Sequence, residues 1–359
     1  MNRAAYNYAK YQKQAGYDVE MWGVTKTPNA PTYQHNYVLR LFQAFQGLMR
    51  FKLDPQLILE INKISTDTVF HFHGVFLPEF FSIAKRLHKR GIKWIVSSHG
   101  AYISSSMLNN NLAKRIYLVF FDSFVLRHAH GIHSAVPGVH DGVENYIVGL
   151  HAVLVPHGQS FEDMKFTPKF IERPLRPVFT YCGRFKRDHK GLDILIDGFA
   201  AYKQKKGEAV LWLIGEGPDE DYLRNMVVRH NLEKQVVFLG PMYGEEKANR
   251  LSLSDLFIHT SRWDITPLAV QEAAAVGTPV MVSRETNLWE QVTQYDAGIV
   301  PEENTPNKVC DAMMMAEKMY QSGQLKACGA NAIRMIDEVF SWPVLAQKLI
   351  DEAYSYRRR

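Results

Sequence analysis

Short apolar runs rich in β-branched and aromatic residues recur along the whole chain, and each leads through a turn into a longer stretch of helical period. This alternation constrains the fold more than any other feature. Parallel strands need a crossover of about a dozen residues or more, normally a helix, so the pattern is that of parallel sheets wrapped by helices. In the first half the runs are YDVEMWG, TVFHFHG, KWIVSSHG, GIHSAV and AVLVPHG, and in the second VFTYCGR, AVLWLIGEG, VVFLGP, LFIHTS, PVMVS and GIVP. A chain of 359 residues exceeds one ordinary core. Two doubly wound α/β domains are therefore expected, one over residues 1–160 and one over 170–341. Between them, residues 157–177 mix Pro with charge and lose periodicity. The closing SWPVLAQKLIDEAYSYRRR regains a helical period, with Trp342, Leu345, Leu349 and Tyr354 on one side.

Composition removes several function classes. Hydrophobic residues make up 46% and charged residues 22%, so the chain is an ordinary globular one. The net charge of +5 is scattered, apart from Arg357, Arg358 and Arg359, and carries no nucleic-acid signature. Cys182, Cys310 and Cys328 are far apart with no C-x-x-C, which points to neither disulfides nor zinc and fits a reducing compartment. The amino terminus lacks the apolar core of a signal peptide, and no run reaches the roughly 18 apolar residues of a membrane span.

In doubly wound sheets a ligand sits beyond the carboxyl ends of the strands. Those ends carry His71, His73, His99, His157, CGRFKRDHKG, GEGP, GPMYG and TSRWD. Arg184 and Lys190, before a helix start, suit a diphosphate, Arg as a planar fork and Lys as a point charge; the alternative is a solvated basic loop. In GEGPDEDYL, Gly215 and Gly217 permit close backbone approach. In TSRWDITPLAVQEAAAVGTPVMVS, Asp264 stands eight positions before Glu272. With the strand ending near Ser261 and Pro267 as first helical residue, the amides of Leu268 and Ala269 face a ligand. Glu272, among the small residues Ala273, Ala274 and Ala275, then suits a ribose diol. The competing reading has Asp264 capping the helix and Glu272 pairing with a surface lysine.

Taken together, GRFKRDHKGLDILIDGF, LWLIGEGP, VVFLGPMYGEEK, LSDLFIHTSRWDITPLAVQEAAAVGTPVMVS and AGIVPEEN have the order and spacing found in retaining, nucleotide-sugar-dependent glycosyltransferases of family 4. The resemblance is dense over residues 178–302. It implies the GT-B fold, two Rossmann-like domains facing a cleft, with residues 342–359 crossing back to the first domain. It also implies that Arg184 and Lys190 hold the donor diphosphate, that Glu272 binds the ribose, and that the turn at Met242 meets the base through its backbone. Gly215, Thr266, Pro267 and Leu268 fall on the donor side. Asp264 stands where the family usually has Glu, near the transferred sugar, and His99 matches a histidine close to the reacting carbon. His71 and His73 would line the acceptor side or serve as hydrogen-bonded structural residues. His157 replaces a common Asn. The family opens with a strand and a Gly-rich turn, whereas NRAAYNYAKYQKQAGYDVEMWGV begins on the first helix, so the first strand is expected to be missing.

The function so implied is transfer of a sugar from a nucleoside diphosphate to a glycan or lipid-linked acceptor, in surface polysaccharide or lipopolysaccharide synthesis, with no cofactor and no metal. A cytoplasmic enzyme, peripheral to the membrane, is expected. The segment YVLRLFQAFQGLMRFKLDP spaces Leu41, Phe42, Phe45, Leu48, Met49 and Phe51 as an amphipathic helix on an anionic membrane, or on the first domain's sheet. The alternative is a non-catalytic sugar-nucleotide-binding or scaffolding subunit. A nicotinamide dehydrogenase is disfavoured because GEGP is no full G-x-G-x-x-G, and a glycosidase leaves the basic loop unexplained.

Overall fold

The computed structural model describes residues 3–28, 37–99, 101, 102, 112–135, 147, 149, 151–156, 158, 159, 173, 174, 177–264 and 267–355. Two compact units result, Met1–His157 with Trp342–Arg359, and Gly158–Ser341.

The first described element of the first unit is the helix Arg3–Gln14. The strands are β1 Glu20–Thr25, β2 Val38–Gln43, β3 Val69–His73, β4 Lys93–Ser97, β5 Gly131–Ser134 and β6 Ala152–Leu154. β3-β4-β5-β6 form one parallel sheet in that order, and β1 pairs in parallel with β2. The segment expected as an amphipathic helix over residues 37–55 is therefore a strand followed by a 3-10 turn, Gly47–Phe51. Val38, Leu39, Leu41 and Phe42 gain a full ladder against β1, and the Arg40 guanidinium grips the Glu20 carboxylate at 2.8 and 3.1 Å. Pairing with a distant strand overrides the local helical spacing.

The end of the chain packs in this unit. Trp342–Leu349 is helical and continues as a π-helical turn, Ile350–Tyr354. Trp342, Leu345 and Leu349 share a buried cluster with Ala4, Tyr8, Tyr11, Ile95 and Val153. The Tyr8 hydroxyl donates to the Pro156 carbonyl at 3.2 Å, which ties the first helix to the end of β6.

The second unit holds β7 Val178–Cys182, β8 Val210–Ile214, β9 Val236–Gly240, β10 Leu256–His259, β11 Val280–Val282 and β12 Gly298–Ile299. They form one parallel sheet in the order β12-β11-β10-β7-β8-β9. Every residue of β7, β8 and β10 is buried, as continuous apolar strands are when helices cover both faces. Phe179, Tyr181, Leu211, Leu213 and Ile258 point into one core with Phe199, Val309 and Met313, while Phe257, Val280 and Val282 point into the other with Val270, Ala274 and Met335. Strand order reverses at β7, between its neighbours β8 and β10, so the loops after β7 and β10 leave the sheet at its switch point, where a ligand site is expected.

One glycine lets those two loops meet. Gly191 has φ +62°, and a Cβ there would lie 1.9 Å from the Thr260 carbonyl oxygen. Gly191→Ala is expected to cost about 2 kcal/mol or more through strain and displacement, roughly 4–8 °C of melting temperature in a unit of this size, measured by calorimetry.

Candidate functional site

After β7 the chain turns tightly. The Phe185 N–H donates to the Glu216 carbonyl at 2.8 Å, and Gly215, at φ +132°, sits so close to Gly183 that a Cβ would meet its carbonyl oxygen at 2.0 Å. A short helix, Arg187–Lys190, follows, with the Arg187 amide donating to Asp219 Oδ2 at 2.8 Å. The loop after β10 is stitched to it. The His189 carbonyl accepts from the Arg262 amide and the Ser261 hydroxyl, both at 2.9 Å, and Arg262 pairs with Asp193 at 2.8 Å. These bonds bring Lys190 beside Asp264, while Arg184 stays exposed.

Asp264 is 8% exposed and accepts twice on Oδ2, from Lys190 Nζ at 2.5 Å and from His259 Nε2 at 2.9 Å. Burial alone would raise its pKa. The hydrogen bonds from His259 and Lys190 outweigh burial, with the Lys190 charge adding to them, and hold the carboxyl below its ordinary value. His259 is 2% exposed, and burial, seconded by Lys190, keeps its own pKa low. A neutral ring that donates through Nε2–H leaves Nδ1 as an acceptor, and among the described residues Nδ1 has no partner. Asp264 therefore serves as the receiver of two donors and not as a helix cap.

The helix Leu268–Ala275 begins one residue later than the sequence implies, with Pro267 as its N-cap. The amides of Val270 and Gln271 return to the Pro267 carbonyl, and those of Leu268 and Ala269 have no acceptor inside the helix. Thr266 and His157 lie outside the described residues. Glu272 is in the second turn and pairs with Lys247 Nζ at 2.8 Å. Lys247 belongs to the helix Gly244–Ser252, which follows the loop holding Met242. Both partners are largely buried, so Lys247 is not the surface lysine of the competing reading; side-chain exposure is 18% for Lys247 and 10% for Glu272. Ala273, Ala274 and Ala275, fully buried, let this helix pack against Gln324–Met335. Cys182 lies beside the pair, and burial lifts its thiol to about 12 despite Lys247, which makes it a poor nucleophile near neutral pH.

Each acid of the Asp264 and Glu272 pair thus has its own lysine from a neighbouring loop or helix. The sequence reading missed Lys247, although GPMYGEEK, which carries it at its end, was among the marked motifs. It also passed over His259, Asn304 and Trp263. The Trp263 ring stacks on His189 at 3.8 Å, and Asn304 Nδ2 donates to the carbonyls of Thr260 and Ser261 at 3.0 and 3.1 Å. Among the described residues Asn304 Oδ1, His189 Nε2 and Gln271 Oε1 are buried without a partner, and buried polar atoms normally have one. A polar ligand or water can supply it.

In the first unit, His71 and His73 leave β3 and His99 follows β4. His99 holds φ +48°, a backbone region few non-glycine residues adopt. Its Nε2 lies 3.3 Å from His73 Nδ1, and the His73 ring lies 4.2 Å from that of His71. His71 is engaged at both nitrogens, by Tyr354 at 2.7 Å and Ser97 at 2.6 Å; Ser97 reaches His133 Nδ1 at 2.6 Å, and His133 Nε2 reaches the Val155 carbonyl at 2.8 Å. A carbonyl only accepts, so His133 donates through Nε2, and in the neutral tautomer this selects, Nδ1 accepts from the Ser97 hydroxyl. Ser97 then accepts from His71 Nε2–H, and His71 Nδ1 accepts from the Tyr354 hydroxyl. The chain of bonds closes with His71 neutral, and burial drives its pKa well down. This gives His71 the structural part and ties β3, β4 and β5 to the chain's end.

Among the described residues no group of three or more His, Cys, Asp or Glu is placed to hold a metal ion.

Residues 164–335 match the family described as glycosyl transferases group 1. Mannosylfructose-phosphate synthase of Agrobacterium fabrum is 27% identical over 228 residues, 58% of this chain and 49% of its own. A GDP-mannose-dependent alpha-(1-6)-phosphatidylinositol monomannoside mannosyltransferase of Mycobacterium tuberculosis is 27% identical over 45% of this chain and 43% of its own. The chain spans about half the length of these curated relatives. A solved glycosyltransferase of Rickettsia africae superposes with TM-score 0.66 over 97% of this chain and 93% of its own, at 13% identity. The lipopolysaccharide outer core galactosyltransferase WaaB superposes with TM-score 0.63 over 98% and 94%, at 15% identity. Anabaena Alr3699/HepE, solved with UDP and glucose, gives 0.62 over 94% and 100%, at 14% identity. The fold is α/β of the GT-B type, with a parallel sheet in each unit.

Two outcomes follow from the electrostatics. Lys190→Met removes the cation that lowers the His259 pKa, so the His259 ring is expected to titrate at higher pH in the variant, read by NMR of the imidazole. His71 and His259, neutral when folded, regain an ordinary pKa near about 6.5 on unfolding, so the unfolded chain binds more protons below that pH. Their contribution to stability is whole above about pH 6.5 and is lost as pH falls below it, which melting curves between about pH 7.5 and 5.5 should record.

Proposed function

We propose that the chain, whose residues 164–335 match the glycosyl transferases group 1, transfers a sugar from a nucleoside diphosphate to a glycan or lipid-linked acceptor. The transfer retains the anomeric configuration, needs no metal and serves bacterial surface polysaccharide or lipopolysaccharide synthesis. The observation that carries this reading is the pairing of Asp264 with Lys190 and of Glu272 with Lys247. Relatives named as mannosyltransferase and galactosyltransferase, and a structural neighbour solved with UDP and glucose, support the substrate class.

Negative charge grows on the diphosphate as the glycosidic bond breaks. Lys190 has three N–H donors and gives one to Asp264, so it can keep that bond and donate to phosphate as well. Arg184, exposed on the same loop, and the amides of Leu268 and Ala269 at a helix N-terminus add positive potential for the leaving group. Glu272, steadied by Lys247, offers its carboxylate to the two ribose hydroxyls, and the backbone at Met242 meets the base. Asp264, one methylene shorter than a glutamate, keeps Oδ1 for sugar hydroxyls while Oδ2 holds Lys190 and His259. His99 positions the transferred sugar, His73 serves the acceptor side, and Gly215 keeps the loop after β8 close.

The enzyme is proposed to act in the cytoplasm at the inner membrane face; among the described residues no helix is long and apolar enough to cross a membrane. A sugar-nucleotide-binding subunit without turnover is the second reading, favoured by the double engagement of Asp264 Oδ2.

A thermal-shift screen with UDP, GDP, ADP, CMP and NAD tests the donor site. One nucleoside diphosphate is expected to stabilise the chain, by about 2.7 kcal/mol at a concentration of about 100 Kd. Glu272→Gln should weaken that nucleotide on the order of tenfold. Lys190→Ala should lower turnover on the order of a hundredfold, measured with the matching sugar nucleotide. No shift with any diphosphate overturns the reading, and a shift without turnover selects the binding subunit.

A further inference from the structure

Residues 37–55 form β2 and a turn, with Val38 and Met49 exposed by 49 and 55%; exposed apolar residues at helical spacing lie elsewhere in the first unit. The helix Leu112–Tyr117 runs through a π-helical turn, Leu118–Asp122, into Ser123–Arg127. One side of this rod is packed: Leu118, Val125 and Leu126 are buried, and Phe121 meets Phe51 and Phe81 with ring centres 4.8 and 5.2 Å apart. The other side carries Ile116, Val119 and Phe120, exposed by 47, 48 and 68%. Their spacing of three and four residues puts them on one face. Three large apolar side chains together in water are a standing cost of hydration, and a contiguous patch of this kind marks a contact surface.

The charge around them has one sign. Lys114, Arg115 and Arg127 are exposed on the same rod, and its one acid among the described residues, Asp122, is 3% exposed and accepts from the Phe76 amide and the Tyr102 hydroxyl at 3.0 and 2.8 Å. The helix Pro78–Lys89, which packs beside it, exposes Lys85, Arg86 and Lys89, and its one acid, Glu79, is paired with Arg50 at 3.2 Å.

We propose that this face docks on a bilayer surface rich in anionic phospholipid, with Ile116, Val119 and Phe120 entering the boundary between headgroups and acyl chains and Lys114 and Arg115 meeting the phosphates. An apolar stripe flanked by cations with long aliphatic stems is the chemistry such a boundary rewards. Two copies meeting symmetrically through the same face would set Lys114 and Arg115 against their own equivalents, which disfavours self-association. The inference deepens the lipid-linked branch of the function above and rests on that branch alone.

The test is sedimentation of the full chain, without nucleotide, with vesicles of phosphatidylcholine alone or with added phosphatidylglycerol. Binding is expected only with phosphatidylglycerol. It should fall about tenfold or more in Val119→Ser with Phe120→Ser, and similarly in Lys114→Glu with Arg115→Glu. Val228→Ser, an apolar site of the second unit that is 55% exposed, should leave it unchanged. All these side chains are exposed, so melting temperatures should hold, and the nucleotide thermal shift, read on the same variants, keeps the donor site separately in view. No binding to either vesicle, equal binding to both, or equal binding by the variants overturns the proposal. A dimer that Phe120→Ser abolishes, in a chain that ignores vesicles, overturns it too and gives the face to a second copy.

Discussion

The contact between Gly191 and the backbone of Thr260 is the constraint on which the second unit's site depends. The loops leaving β7 and β10 come from strands at which the sheet's order reverses, and such loops would ordinarily diverge. Here the Thr260 hydroxyl donates to the Gly191 carbonyl at 2.9 Å, and the missing Cβ lets the backbones touch. Lys190 precedes that glycine and Asp264 follows that threonine by four residues, so their ion pair is a consequence of backbone approach and not of long side chains searching for each other. Arg262 strengthens the seam by reaching Asp193 and the Arg187 carbonyl.

Burial then decides what each ionisable group does. Asp264 is nearly out of water yet ionised, because two donors converge on one oxygen. The same burial keeps His259 neutral next to it and keeps Cys182 a thiol. In the first unit, desolvation leaves His71 neutral, and neutrality gives the Tyr354, His71, Ser97 and His133 chain a single consistent direction. The unit is closed by hydrogen bonds that work in one protonation state, which links its stability to pH.

Legibility from sequence follows the range of the interaction. The β7, β8 and β10 runs were readable because strands buried on both faces are apolar at every position, and turns with glycine mark their ends. β2 was not, since VLRLFQ has helical spacing in its surroundings and only its pairing with β1, 18 residues away at every step of the ladder, makes it a strand. Its neighbours are absent from any local window. Lys247 was missed for the same reason: nothing in GPMYGEEK says that its lysine will meet Glu272, 25 positions later, at 2.8 Å.

By itself the sequence determined the α/β organisation of parallel strands with helical crossovers and the loops that carry the acids and cations, because period and turn chemistry are local properties written in consecutive residues. Tertiary structure alone decided which cation meets which acid, that His71 is tied at both ring nitrogens, and that exposed apolar side chains share a helix face at Ile116, Val119 and Phe120 while residues 37–55 form a strand and a turn. Those outcomes depend on desolvation and on contacts between segments far apart in the chain, and neither is defined until the sheets have packed.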